Sequence, residues 1–158
     1  MTLTRIAVIR LRGDHDIRRT VKDTLKMLRL YKKNNLSIIS NTDSSVGMLK
    51  KIKDHVTWGE LEQETFKALL EKRARIVGNK KFSENYIKEK LNSSVESFAS
   101  DFMNFKKELK DIPGLKQFFR LSPPQKGFER KGIKVPYSLG GALGYRKEKI
   151  NDLIKRML

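Results

Sequence analysis

Residues 4–11, TRIAVIRL, constrain the fold more than any other stretch of this chain. Ile6, Val8 and Leu11 are branched or long apolar residues, and Ala7 and Ile9 keep the second face apolar as well. A strand that is apolar on both faces needs cover on both faces, which places it in the middle of a sheet. The polar run GDHD ends it, and Asp16 is a suitable cap for a helix. Residues 17–30 then repeat apolar side chains at Ile17, Val21, Leu25 and Leu28, the spacing of one helical face. A second strand is expected at 36–40, LSIIS. A helix capped by Asp43 or Ser44 follows, burying Val46, Leu49 and Ile52, and the β-rich HVTWGEL makes a third strand. The order is β-α-β-α-β within sixty residues.

Residues 61–110 change to helical periodicity. Phe66, Leu69, Leu70 and Val77 mark one helix, with Gly78-Asn79 as its stop. A short helix carries Tyr86, Ile87 and Leu91. Ser93 and Glu96 form a capping box for a third, whose stripe is Val95, Phe98, Phe102, Phe105 and Leu109. An aromatic stripe at that spacing is packing surface. Beyond DIPG (111–114), prolines at 123, 124 and 136 and five glycines preclude regular helix until a closing one with Ile150, Leu153, Ile154 and Leu158. The organisation expected is a core over 1–60, a helical extension over 61–114, and a loop-rich basic segment with a short terminal helix over 115–158.

Charge says more about function than any motif. The chain has 35 lysines and arginines against 18 acidic residues, a net +17 in 158 residues. A domain so basic repels itself unless an anionic partner neutralises it, and nucleic acid is the commonest such partner, with anionic membrane surfaces second. The excess is uneven. Residues 1–60 hold 13 basic and 6 acidic side chains, a net +7; 61–110 hold 11 and 8, a net +3; 111–158 hold 11 and 4, again +7. Candidate RNA contacts therefore lie at the two ends. The first set is Arg10, Arg12, Arg18, Arg19, Lys22, Lys26 and Arg29, several of them a basic stripe one position behind the apolar face of the first helix. Lys50 and Lys51 follow on the second helix. The last set is Lys126, Arg130, Lys131, Lys134, Arg146 and Lys147, interleaved with Phe118, Phe119, Phe128, Tyr137 and Tyr145, whose rings could stack on unpaired bases.

Gly47 stands apart, because a glycine early in a helix lowers stability. Two explanations are open: a sugar-phosphate seated close to the helix N-terminus, or close packing of that helix on the sheet.

Enzyme chemistry finds little support. Cysteine is absent, His15 and His55 lack ligand spacing, and no phosphate-binding loop or dinucleotide fingerprint is present. No catalytic residue, metal ligand or cofactor is expected. The apolar run at the N-terminus is too short and too charged for a spanning helix, so a soluble, cytoplasmic protein is expected.

RIAVIRLRG followed by a basic helix, and then SIISNTDSSVGMLKKIKDHVTWGEL, resembles the large-subunit ribosomal protein L-thirty family, whose eukaryotic counterpart is named L-seven. The matching residues are Thr42, Gly47, Met48, Leu49 and Lys51, then Val56, Trp58 and Gly59. The first sixty residues resemble the whole short bacterial form, and the remainder resembles the extension of archaeal and eukaryotic members. The absence of a long basic N-terminal arm points the resemblance to the archaeal form. It implies an α+β, ferredoxin-like core with a three-stranded sheet in the order 3-1-2 and two helices on one face. It also implies a structural constituent of the large ribosomal subunit, without catalysis or cofactor. Such a protein binds and stabilises ribosomal RNA during assembly and translation, monomeric within the ribosome and beside neighbouring ribosomal proteins. A free-standing RNA-binding regulator and an RNA-processing enzyme are the alternatives.

Overall fold

A computed structural model describes residues 4–91 and 93–158. The first strand, β1 (Arg5–Arg10), is buried along its whole length and lies at the centre of the sheet. Helix α1 (Arg19–Met27), strand β2 (Asn35–Ser40), helix α2 (Asp43–Ile52) and strand β3 (Val56–Glu60) complete the β-α-β-α-β unit. Both β2 and β3 run antiparallel to β1, with Arg5 opposite Ser40 and Ile6 opposite Glu60. The expected order 3-1-2 is present, but inside a sheet of five strands rather than three. Strand β4 (Phe119–Arg120) adds to the outer side of β2, and β5 (Gly144–Tyr145) pairs parallel to β3. Two-residue strands have no periodicity to read, so the sequence carried no sign of them.

The alternation along β1 sorts the core into two layers. Ile6 and Val8 face α1 and α2, packing with Leu25, Leu28, Leu49 and Ile52. Ala7, Ile9 and Leu11 face the opposite side, where the rest of the chain covers them. That cover is built from α3 (Gln63–Arg73), α4 (Glu84–Leu91), α5 (Val95–Met103) and α6 (Ile150–Met157). One apolar cluster therefore runs from Ala7 through Phe66 and Phe102 to Met157. The stripe on α5 is packing surface: Val95, Phe98 and Phe102 are buried, and Phe102 stacks on Phe66 with ring centroids 4.3 Å apart. Each such ring is worth roughly 1.5–3 kcal/mol of burial.

Helix ends differ from the periodicity. The first helix spans nine residues rather than 17–30, because Asp16 (φ 54°) and Arg29 (φ 58°) adopt left-handed backbone on either side of it. The N-cap position falls to Arg18 rather than Asp16, without a side-chain bond. Helix α3 stops at Arg73, well short of Gly78, because Arg75 and Ile76 are drawn into bridges with Lys81 and Leu115. The N-caps of α2 and α5 are Thr42 and Ser94, each accepting from the backbone N–H three residues on. Helix α5 ends before Phe105, which is itself left-handed (φ 59°).

The terminal segment docks on β3 through one close approach. Gly59 lies beneath residues 147–150, where a Cβ would overlap the Lys147 carbonyl oxygen and come within 3.0 Å of Ile150. Buried Asn151 locks the same joint: its Nδ2 donates to the Glu60 carbonyl (3.0 Å) and its Oδ1 accepts from the Glu62 N–H (3.1 Å). The larger apolar cluster takes side chains from residues 1–60, 61–114 and 115–158 alike.

Candidate nucleic-acid interface

Two of the candidate cations, Arg10 and Arg146, are internal. Arg10 is only 2% exposed and its guanidinium donates to the carbonyls of Arg12 (2.8 Å), Leu30 (2.9 Å) and Tyr31 (3.0 Å) and to the Asp14 carboxylate (2.7 Å). Arg146, also 2% exposed, forms a two-pronged ion pair with Glu129, donates to Thr57 Oγ1 (2.8 Å) and the Ala142 carbonyl (2.9 Å), and lies over the Tyr137 ring. Both tie loops to the sheet, so neither presents a free cation to a partner. Arg10 ends a strand that is buried on both faces along its whole length. No local signal distinguishes Arg146 from its exposed neighbour Lys147.

The remaining candidates fall into two groups. Arg18, Arg19, Lys22 and Lys26 are exposed on or beside α1, and Lys50 and Lys51 are exposed on α2, which packs next to α1 on the same face of the sheet. Arg12 is half-buried and its guanidinium reaches the Asp54 carbonyl (3.3 Å). Arg29 is half-buried just past α1 and bonds the side chain of Gln117. Lys126, Arg130, Lys131 and Lys134 are exposed on the turn-rich segment, whose Phe128 and Ile133 pack on the opposite core layer. Lys147 is exposed, with φ 55°. The structure therefore joins the α1 and α2 cations into one surface and keeps the 126–134 cations on another.

Among the described residues, none of the exposed lysines and arginines of α1 and α2 forms an ion pair. The nearby Asp14 carboxyl is held below its usual range, first by the hydrogen bond from Arg10, with burial opposing and the charges of Arg10, Lys22 and Lys26 adding to it.

Gly47 is exposed in the second turn of α2, and a Cβ there would meet no heavy atom within 4 Å. Packing on the sheet is therefore not what the glycine serves. The interleaved aromatics are mostly committed inside: Phe119 is buried, Phe128 packs on the core, and Tyr137 lies under Arg146. Tyr145 stays 47% exposed and its hydroxyl donates to Glu60, which pushes the phenol up to about 12, with burial adding to it. A second exposed ring, Tyr31, meets Phe118 edge-on at 5.4 Å and was not apparent from spacing.

Among the described residues no cluster of three or more His, Asp or Glu could hold a metal ion, and no helix is long and apolar enough to cross a membrane. Fold and surface together define a class: a small α+β protein whose ferredoxin-like core exposes an unneutralised cationic helix layer. Comparison with known proteins makes it specific. The family described as Ribosomal protein L30p/L7e matches residues 6–56. The large ribosomal subunit protein uL30 of Methanopyrus kandleri is 50% identical over 149 residues, covering 94% of this chain and 100% of that one. The corresponding proteins of Nanoarchaeum equitans and Archaeoglobus fulgidus are 51% and 46% identical over 152 residues, covering 96% of this chain and 97% and 98% of theirs. The chain belongs to the ribosomal protein L30p/L7e family, whose members are structural, non-enzymatic components of the ribosome.

Proposed function

We propose that this protein is a structural constituent of the large ribosomal subunit, where it binds and stabilises ribosomal RNA during assembly and translation. It is monomeric within the ribosome, beside neighbouring ribosomal proteins, in the cytoplasm. Relatives named for that subunit, matched over nearly their whole length, support the reading. The observation that carries it is the cationic surface of α1 and α2, whose lysines and arginines form no ion pair among the described residues, on a chain of net +17. Phosphates are its natural counterions, and each one engaged releases condensed cations into solution. The contacts assigned to RNA are Arg18, Arg19, Lys22, Lys26, Lys50 and Lys51, with Gly47 admitting the backbone, and Lys126, Arg130, Lys131, Lys134 and Lys147 as a second set. Arg12 and Arg29 border the first set.

Salt titration of binding to large-subunit RNA tests this. The log-log slope is expected to be steep, and the Lys22→Gln/Lys26→Gln double variant is expected to flatten it by up to about two units, roughly one for each phosphate left without its cation. An unchanged slope would make the α1 stripe a solvated rim.

A further inference from the structure

Strand β4 pairs only with Asn35 and Leu36, so among the described residues the outer edge of β2 over Ser37–Ser40 has no further strand beside it. A cleft of about 240 Å³ opens along that edge, between the end of α1 and residues 102–110. Its walls combine apolar side chains, among them Leu28, Ile39 and Leu109, with the hydroxyls of Ser37, Ser40 and Ser45. Three cations line it, Arg5, Arg29 and Lys110, against one carboxylate, Glu108, a net of +2.

Arg5 is the unusual member. Among the described residues three arginines are buried, and two of them are neutralised by carboxylates of this chain, Arg10 by Asp14 and Arg146 by Glu129. Arg5 is 6% exposed and its guanidinium is held between the rings of Phe102 and Phe105 at 4.1 and 4.0 Å. It donates to the carbonyls of Phe102 (3.1 Å) and Lys107 (3.3 Å), but among the described residues no carboxylate forms an ion pair with it. Burial pulls its pKa down and the more distant Glu108 only partly opposes this. A buried guanidinium without a counter-charge is costly unless an anion completes it from outside. Phe118 follows Gln117 in the chain and meets Tyr31 edge-on, and Tyr31 is 46% exposed.

We propose that this cleft seats one unstacked nucleotide of a single-stranded RNA segment, with its phosphate between Arg29, Lys110 and Arg5 and its base against the apolar wall. The proposal rests on the ribosomal reading above and adds a second, base-accepting contact to the phosphate contacts of α1 and α2. An extended peptide could also use an open strand edge, but the excess positive charge and the three hydroxyls match a sugar-phosphate better than a polypeptide.

The test is photo-cross-linking of the full chain, assembled with large-subunit RNA containing 4-thiouridine, followed by mapping of the modified peptides. Adducts are expected in the peptides carrying residues 37–40 and 102–110, and Lys110→Glu, an exposed change that leaves the core intact, is expected to lower their yield about tenfold, the scale of one charge-assisted bond. Adducts in α1 persist in that variant. Adducts confined to α1, a cleft yield unmoved by Lys110→Glu, or cross-links from the cleft to a neighbouring protein would each overturn the proposal while leaving RNA binding standing. Loss of all RNA association by the unaltered chain would overturn both.

Discussion

Glu129→Ala is expected to destabilise the free protein by about 3 kcal/mol, because it strands a buried charge. The guanidinium of Arg146 is enclosed, and Glu129 supplies the only carboxylate that pairs with it among the described residues. The other partners of Arg146, the Thr57 hydroxyl and the Ala142 carbonyl, do not neutralise it. Urea unfolding reads the loss as a shift in midpoint at constant slope. A change below about 1 kcal/mol would mean that water reaches the guanidinium once the carboxylate has gone. The same pair gives an acid limit. Burial pushes the Glu129 carboxyl up, but hydrogen bonds from Arg146 and the backbone, with the charges of Arg146 and Arg156, bring it below the ordinary 4.5. A depressed folded-state carboxyl contributes stability that is fully present above the unfolded value and lost as pH falls through the folded one. Below pH 4.5 the unaltered protein should therefore lose stability faster than Glu129→Gln. Parallel loss in the two proteins would remove the ion pair from the acid transition.

Gly59→Ala is expected to cost about 2–3 kcal/mol, since the added methyl overlaps backbone that cannot rotate away. Its Cβ would collide with the Lys147 carbonyl oxygen and press on Ile150, lifting α6 from β3. Gly47→Val is the counterpart with the opposite signature. Open space surrounds that position, and valine is a slightly better helix residue than glycine, so the melting temperature should hold or rise. Binding to large-subunit RNA should weaken by roughly threefold or more, the scale of one hydrogen bond. Thermal melts of both variants, with RNA affinity measured for Gly47→Val, separate the roles. A Gly47→Val protein that melts early and binds RNA normally would return the glycine to folding. A Gly59→Ala protein as stable as the parent would show that the terminal helix is not seated on the strand.

The two glycines show where reading the sequence succeeds and where it stops. Both stand in the stretch that resembles the ribosomal family, and both look alike as letters. Only the packing separates one that accommodates a neighbouring backbone from one that faces solvent. The basic residues behave in the same way. Lys22 and Lys26 sit on the polar face of an amphipathic helix, so periodicity alone leaves them exposed. Arg146 lies in a segment without periodicity, beside Lys147, and its burial depends on Glu129, seventeen residues earlier in the chain. The rings at Phe119, Phe128 and Tyr137 look like stacking surfaces in a glycine-rich basic stretch. Phe119 and Phe128 instead pack into the core, and Tyr137 lies under Arg146.

Local pattern was sufficient wherever a side chain's surroundings follow from its own element. The two apolar faces of TRIAVIRL required a central strand with cover on each side, and the net +17 pointed to an anionic partner; neither depends on how distant parts of the chain meet. The two outer strands, the neutralisation of Arg10 and Arg146, the unpaired state of Arg5 and the cleft beside it were decided only by tertiary structure. Each of these arises where segments dozens of residues apart converge, and burial and counter-charge are properties of that convergence rather than of the residue.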